Sequence, residues 1–502
     1  MAAHREVPVA AARPRGRQGL TRVAGSWPES AMFEPASHDR MVVQFAGAEA
    51  GTQPLTWGQK AIWQDMQASG NQFSMWGMLE LPKGSTVEDA AARLSGVMGR
   101  HAALRMRLVT GSAGRLCQEI AGSGQIGLDI LTIPDDAGRP GAARYAAELM
   151  QTWPLARFDF HRDWPLRMAL VRQRGACLCL VWVLSHLAAD GGANLLLLDD
   201  LIAAGTAGQV AGDPRRPQLP GIAASEQTPQ LRQLSGRAMR YWEAQLRHIP
   251  AQTFGEPARP QGQAWPRYWQ ARFSSPAAHL AMLAIAKRTR TDVSRVTLAV
   301  IATAIARATG VQPLTIKVMV NNRFRPGLAD VIAPIAQNSV ITIDLADTTI
   351  DEVVARARGA SLTAGMRAYY DPDELREVMA QLDAERGYAA AVTCRVNDQR
   401  AMIMRADEEA GPGEVTEEQV RRRQAETSLT WLGQRDNMHE QANILVENRP
   451  DVVSLHMMWD RWSLTDGQVE ALLRGVEEVA CEAAFDPAAP TKVSPALTGT
   501  ST

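Results

Sequence analysis

No stretch of this chain approaches the roughly 18 consecutive apolar residues of a membrane-crossing helix, so a helical membrane protein is excluded. An excess of one charge is missing too. Lys and Arg number 53 against 54 Asp and Glu, for a formal net charge of −1. That balance argues against a general nucleic-acid or membrane-surface binder. Cysteine is scarce. The five thiols, Cys117, Cys177, Cys179, Cys394 and Cys481, lack the spacing of a zinc site, read as buried small hydrophobes and suit a reducing cytoplasm. The N-terminus has arginines but no apolar run before Trp27, so no secretory signal is expected. There is no Gly-x-x-x-x-Gly-Lys-Ser/Thr phosphate loop, no dinucleotide fingerprint and no Gly-x-Ser-x-Gly elbow.

What is present is a long, ordinary globular composition. At 502 residues the chain exceeds one core, and its 46% hydrophobic and 21% charged content fits a two-lobed protein. Residues 1–40 are rich in Ala, Arg, Pro and Gly without period, so a disordered tail is expected there, with Arg5, Arg13, Arg15, Arg17 and Arg22 making it basic. A first lobe is expected over residues 41–250, a second over 251–486, and a flexible tail over 487–502. The Pro/Gly-rich stretch Pro250–Pro266 marks the boundary. Helices are expected at 55–67, entered at Thr56, and at 87–101, 142–152, 236–247, 276–288, 292–308 and 465–484. The helix over 292–308 is apolar on most of its circumference and belongs in a core. Strands are expected at 73–81, 104–109, 126–133, 166–172, 177–184, 269–273, 314–321, 339–345, 389–396 and 452–459. The stretch 407–423, with Gly411-Pro412-Gly413, reads as an exposed loop or short helix. The mixture is α/β or α+β.

One short run points to chemistry. Cys177–Leu184 is an unbroken apolar strand, and Ser185-His186-Leu187-Ala188-Ala189-Asp190-Gly191-Gly192 turns out of it into a helix. A lone histidine is most often a satisfied core residue. Here a carboxylate four residues on, and glycines at the turn, favour a reaction centre. An ordinary imidazole, with a pKa of about 6.5, accepts a proton near neutrality. His186 lacks metal-ligand companions at short spacing, so no metal is expected. His439 and His456 have no partner motif and read as structural.

Five blocks carry a resemblance. In order they are Leu55–Trp63; Phe158-Asp159-Phe160 with Trp164-Pro165-Leu166-Arg167; Ser185–Gly191; Tyr241-Trp242; and Asn322-Arg323 with Ala336-Gln337-Asn338-Ser339. Together, over roughly residues 50–485, they resemble the condensation domains of nonribosomal peptide synthetases, in a freestanding form. The resemblance implies two chloramphenicol acetyltransferase-like lobes in a V-shaped pseudodimer, with the active site in a tunnel between them. It implies transfer of an acyl or aminoacyl group from the phosphopantetheine thioester of an acyl or peptidyl carrier protein to an amine acceptor, forming an amide. An ester from an alcohol acceptor and a non-catalytic recruitment module are the alternatives. No bound cofactor is expected, because the partner carrier supplies the phosphopantetheine. A monomer without nucleic-acid or membrane partners is expected.

The family's histidine pair is Ser185-His186 here, and Gln434-Arg435-Asp436-Asn437 only faintly echoes its late Arg-Asp block. The resemblance makes His186 the catalytic residue. Asp190 reads as structural, paired with Arg323, where the family places an arginine. Gly191 and Gly192 read as backbone devices that permit close approach or positive φ, and the Gly191 amide as a group able to face an oxyanion. Ser185, Gly192 and Asn338 are candidate tunnel-lining residues. Trp57, Gln59, Trp63, Tyr241 and Trp242 read as packing.

Overall fold

A computed structural model describes residues 37–111, 114–135, 145–149, 157–207, 217–247, 249–250, 252–255, 258, 266–389, 391–402, 415–435, 438 and 440–495. The chain up to residue 36, the Gly411-Pro412-Gly413 stretch, His439 and residues 496–502 lie outside the described residues, as does most of Pro250–Pro266. The chain forms two compact units. One runs to Arg232 and takes in Asn321–Ala336; the other comprises Gln233–Val320 and the chain from Gln337 onward.

In the first unit the order is β1 (Ser37–Ala46), β2 (Gly51–Pro54), α1 (Trp57–Ser69), β3 (Ser74–Glu80), α2 (Val87–Arg100), β4 (Met106–Thr110), β5 (Leu116–Ile120), β6 (Ser123–Thr132), β7 (Leu166–Gln173), β8 (Ala176–Ser185), α3 (Gly191–Ala207) and α4 (Leu219–Ser225). Five strands pair as β1-β6-β7-β8-β3, and β2-β5-β4 form a separate small sheet. β7 and β8 are a hairpin. Arg174 and Gly175 both take positive φ, 51° and 76°, as a two-residue turn between right-twisted strands requires. β8 is flanked on both sides, and Leu180–Leu184 are wholly shielded from solvent. This explains its unbroken apolar sequence. α1 starts where Thr56 and Gln59 form a reciprocal capping box, which satisfies two otherwise orphaned amide donors.

The second unit holds α5 (Pro229–Leu246), which spans the change between units, then β9 (Tyr268–Ser275), α6 (Pro276–Thr289), α7 (Val293–Thr309), β10 (Leu314–Val320), β11 (Gln337–Ile343), α8 (Ile350–Met366), α9 (Pro372–Arg386), β12 (Cys394–Asp398), α10 (Glu417–Arg423), β13 (Ser428–Arg435), β14 (Ala442–Glu447), β15 (Val453–Asp460) and α11 (Asp466–Ala484). Its seven strands run β11-β10-β12-β14-β15-β9-β13. The pairs β10–β12 and β12–β14 are parallel; the others are antiparallel. Every residue of α7 from Val296 to Ala306 is buried, as its all-round apolar sequence demands. It packs with α6, α8 and α11 over one face of the sheet, where Val396, Ile444, Met457 and Phe273 enter the core.

The structure corrects several expectations. Ser37–Arg40, expected in the tail, pair with Ile130–Thr132 and Asp129 as the start of β1. The chain after Pro487 is not loose as far as residue 495: Ala489, Thr491 and Val493 are buried, and Thr349 bridges Pro490. α4 and the first two turns of α5 lie where no element is expected from the sequence. The helix expected from Gly236 starts at Pro229 and packs Ala238, Met239, Trp242 and Leu246 against Val340, Tyr370 and Leu382. That packing places it in the second unit, upstream of the boundary expected near residue 250. α8 and α9 add to the expected elements. The apolar positions of α9 are few and set among charged residues. Burial pushes the thiols of Cys179 and Cys394 up to about 12, which makes them inert packing groups.

Candidate active site

β8 leaves the core at Ser185, and the next residues are pinned one by one. The Ser185 amide donates to the Pro165 carbonyl at 2.8 Å, and the His186 amide to the Phe73 carbonyl at 2.9 Å. The Leu187 amide donates to Ser185 Oγ at 3.2 Å. Ser185 is fully buried. It therefore closes the turn beneath the histidine and does not line an open channel, which corrects its expected place.

His186 is half-buried, with its ring edge-on to Phe73 at 6.5 Å between centroids. Its Nδ1 lies 2.9 Å from the Ala189 carbonyl oxygen. A carbonyl only accepts, so Nδ1 carries the proton of the neutral ring. Nε2 is left with its lone pair and, among the described residues, no hydrogen-bond partner. The sequence of the loop thus selects the tautomer that a proton acceptor at Nε2 requires.

Asp190 follows and is 1% exposed. Its carboxylate meets Arg323 twice, at 2.7 Å (Oδ1 to Nη2) and 2.9 Å (Oδ2 to Nη1). Oδ2 also accepts the amides of Ile335 and Ala336, each at 2.9 Å. Oδ1 accepts the Ala193 amide at 2.9 Å and so caps α3. Burial by itself raises the carboxyl pKa. The Arg323 charge and hydrogen bonds, with the Ala193 and Ile335 amides, outweigh it and hold Asp190 below the usual carboxylate range. Among the described residues none of these bonds goes to His186. Asp190 is a fixed anion that ties the loop and α3 to the segment 321–336.

Gly191 opens α3 and is half-buried; Gly192 is buried. Neither has positive φ, so the left-handed option fails. Close approach is the reason for Gly192, where a Cβ would come within 2.7–2.8 Å of three guanidinium atoms of Arg323. Arg323 is itself held by the carbonyls of Val331 at 3.2 Å and Ala333 at 3.4 Å. Asn322 before it sits at φ 57°, a left-handed conformation that asparagine tolerates. Its amide bonds the Ile335 carbonyl at 2.9 Å and its oxygen accepts Arg325 Nε at 2.9 Å. The structure therefore brings His186, Asp190, Gly192 and Arg323 into one constellation. Asn338 lies in the second unit on β11, opposite Met319.

Two residues of the first turn of α1 belong to the same support. Gln59, read from sequence as packing, is fully buried. It donates to Gln118 Oε1 at 3.0 Å and to the Leu187 carbonyl at 3.4 Å. Gly58 lies against the backbone of Pro334, where a Cβ would stand 1.6 Å from the carbonyl oxygen. The available signal was the Thr56-x-x-Gln59 capping box, which marks the helix start and says nothing of the burial of the Gln59 amide.

These features fit what known proteins show. The condensation domain family model matches residues 49–409, and the chain belongs to that family. It is 27% identical over 325 residues to CymA of Salinispora arenicola, a probable nonribosomal peptide synthetase, covering 62% of this chain and 4% of that one. It is 28% identical over 293 residues to the phosphinothricin tripeptide synthetase PhsC of Streptomyces viridochromogenes, covering 56% and 26%. The chain thus spans a small part of these curated relatives. Among solved structures it resembles the X-domain from teicoplanin biosynthesis (TM-score 0.64, 19% identity, 90% of this chain and 99% of that one). It also resembles SgcC5 from Streptomyces globisporus (TM-score 0.64, 19% identity, 87% and 100%). The first condensation domain of the calcium-dependent antibiotic synthetase is a further match (TM-score 0.60, 17% identity, 89% and 99%). These likenesses establish the condensation-domain fold. No helix among the described residues is long and apolar enough to cross a membrane.

Proposed function

We propose that this condensation domain joins an acyl or aminoacyl group, delivered as a carrier-protein thioester, to an amine. The observation that carries the reading is the contact of His186 Nδ1 with the Ala189 carbonyl, which leaves the Nε2 lone pair available to act as a base. As the amine nitrogen bonds to the thioester carbonyl carbon, Nε2 takes the N–H proton. The C–S bond then breaks, the sulfur receives that proton, and an amide and a free carrier thiol result. The thioester is already activated, so the enzyme needs no covalent nucleophile, and holding the two reactants in place supplies much of the rate. An alcohol acceptor reacts through the same imidazole and gives an ester.

A second reading has its own support. The structural relatives include the X-domain in complex with OxyB from teicoplanin biosynthesis (TM-score 0.62), which favours a module that recruits a partner protein. The Nδ1–Ala189 contact that frees His186 Nε2 favours the transferase, since recruitment makes no use of a poised Nε2. Intact-mass analysis of a loaded carrier, with an acceptor panel and His186→Ala as control, separates them. Acyl loss that depends on His186 supports transfer; carrier binding without acyl loss in either protein supports recruitment.

A further inference from the structure

His186 has a neighbour across the ladder. The register of β3 and β8 ends at the pair Ser74 and Ser185. One step beyond it the His186 amide still donates to the Phe73 carbonyl at 2.9 Å. The antiparallel pairing therefore continues and sets Phe73 opposite His186. Side chains of opposed residues stand on the same face, close enough to touch. The two rings accordingly meet edge to face, with 6.5 Å between centroids and 78° between planes. The Nδ1 bond to the Ala189 carbonyl holds the imidazole at one atom only. A ring held at one atom can still pivot about it, and a second ring packed on its flank takes up that freedom.

Phe73 needs fixing in its turn. Among the described residues β3 has β8 on one side and no strand on the other, and the strand begins only at Ser74. The Gln72 side chain takes over. Its amide nitrogen donates to the Phe158 carbonyl at 2.8 Å, and its oxygen accepts the Phe158 amide at 2.7 Å. A side-chain amide carries the donor and the acceptor of a peptide group, so Gln72 stands in for one more residue of strand pairing. Phe158 is a firm anchor. It is 4% exposed, its ring stacks on Phe160 at 6.4 Å, and the Arg167 guanidinium lies over it at 4.1 Å. Arg157 adds a bond to the Gly70 carbonyl at 3.1 Å. The chain entering β3 is thus held on two sides, residue 73 against His186 and residue 72 against Phe158.

We propose that Phe73 and Gln72 are positioning residues for acyl transfer. Phe73 braces the His186 ring from across the ladder, and Gln72 holds Phe73 in place through Phe158. Both act through the imidazole. Their part in catalysis rests on the reading of His186 as the base; the bracing of the ring does not. The requirement is geometric. An imidazole that takes a proton as the new bond forms must keep Nε2 within hydrogen-bond reach of the attacking nitrogen, about 2.6–3.2 Å. A ring that pivots spends part of its time outside that range.

Phe73→Leu keeps apolar bulk and removes the flat ring. Gln72→Leu keeps size and removes both bonds to Phe158. NMR of the full chain with isotope-labelled histidine reads the result, under conditions where the imidazole is neutral. The His186 signals are assigned by their absence from His186→Ala. Wild type should show one His186 species with the proton on Nδ1. In each variant the signals should shift toward a mixture of the two tautomers, whereas Phe73→Tyr, which keeps the ring, should retain the wild-type pattern. Phe45→Leu trims a buried ring on β1, at the far edge of the same sheet. It should lower the melting temperature and leave the His186 signals unmoved. With a working donor and acceptor, kcat should fall about tenfold in Phe73→Leu and Gln72→Leu with KM within about twofold, a part of the roughly 10²–10⁴ that loss of a base costs. Wild-type ring signals in the folded Phe73→Leu and Gln72→Leu proteins overturn the proposal whatever their activity. So does the same shift in Phe45→Leu, which would make it a consequence of lost stability. Signals that shift in the two variants while no protein moves an acyl group uphold the brace and count against the transferase.

Discussion

Gly192 and Arg323 touch: a single added carbon on Gly192 would come within 2.7 Å of the guanidinium. The helix that begins after the His186 loop is thereby pressed against the arginine that neutralises Asp190. One bare backbone lets α3, the loop and the segment 321–336 meet.

Gly192→Ala should move the guanidinium and loosen its grip on Asp190. The expected loss is about 1–3 kcal/mol, typical of overpacking. Gly58→Ala should be worse. Its Cβ would overlap the Pro334 carbonyl, a backbone atom that cannot swing aside, and shifting it drags the Ile335 and Ala336 amides away from Asp190. Urea melts of the two variants check the ranking, and a milder effect at Gly58 would contradict it.

Asp190→Asn leaves Arg323 buried without its counter-charge and should cost about 3–5 kcal/mol at neutral pH. The pH dependence has a definite sign. The folded-state pKa of Asp190 is depressed, so its stabilisation is fully present above the ordinary carboxyl value of about 3.9 and is lost as pH falls below it. The gap between wild type and Asp190→Asn should stay wide from pH 7 to pH 5 and narrow under stronger acid. A gap that shrinks with rising pH would refute the assignment.

Gln59→Leu keeps shape but removes the amide that bonds Gln118 and the Leu187 carbonyl. It should cost about 1–3 kcal/mol. If acyl transfer is the activity, it should lower kcat more than it changes KM, because the loop that carries His186 is no longer held. An equal fall in thermal stability with kcat unaltered would make Gln59 a packing residue only.

Much of this was legible in the sequence. The β7–β8 hairpin and the buried α7 announce themselves through turn residues and all-round apolarity. The pairing of Asp190 with Arg323 joins residues 133 apart in sequence, and only the resemblance of Asn322-Arg323 to a family block pointed to it. The hidden parts are those that local pattern does not encode. Thr491 and Val493 are buried by tertiary packing of a segment with no period. Gly58 is one position inside an expected helix and Gly192 looks like a turn glycine until the partner backbone and side chain are seen.

The most direct test of the central claim is the intact mass of a carrier protein loaded with candidate acyl groups, incubated with amine and alcohol acceptors and either wild type or His186→Ala. The account predicts loss of the acyl group as an amide with wild type, slowed by roughly 10²–10⁴ in the variant. Equal acyl loss with both proteins, or none with either across the panel, would contradict the role given to His186 Nε2.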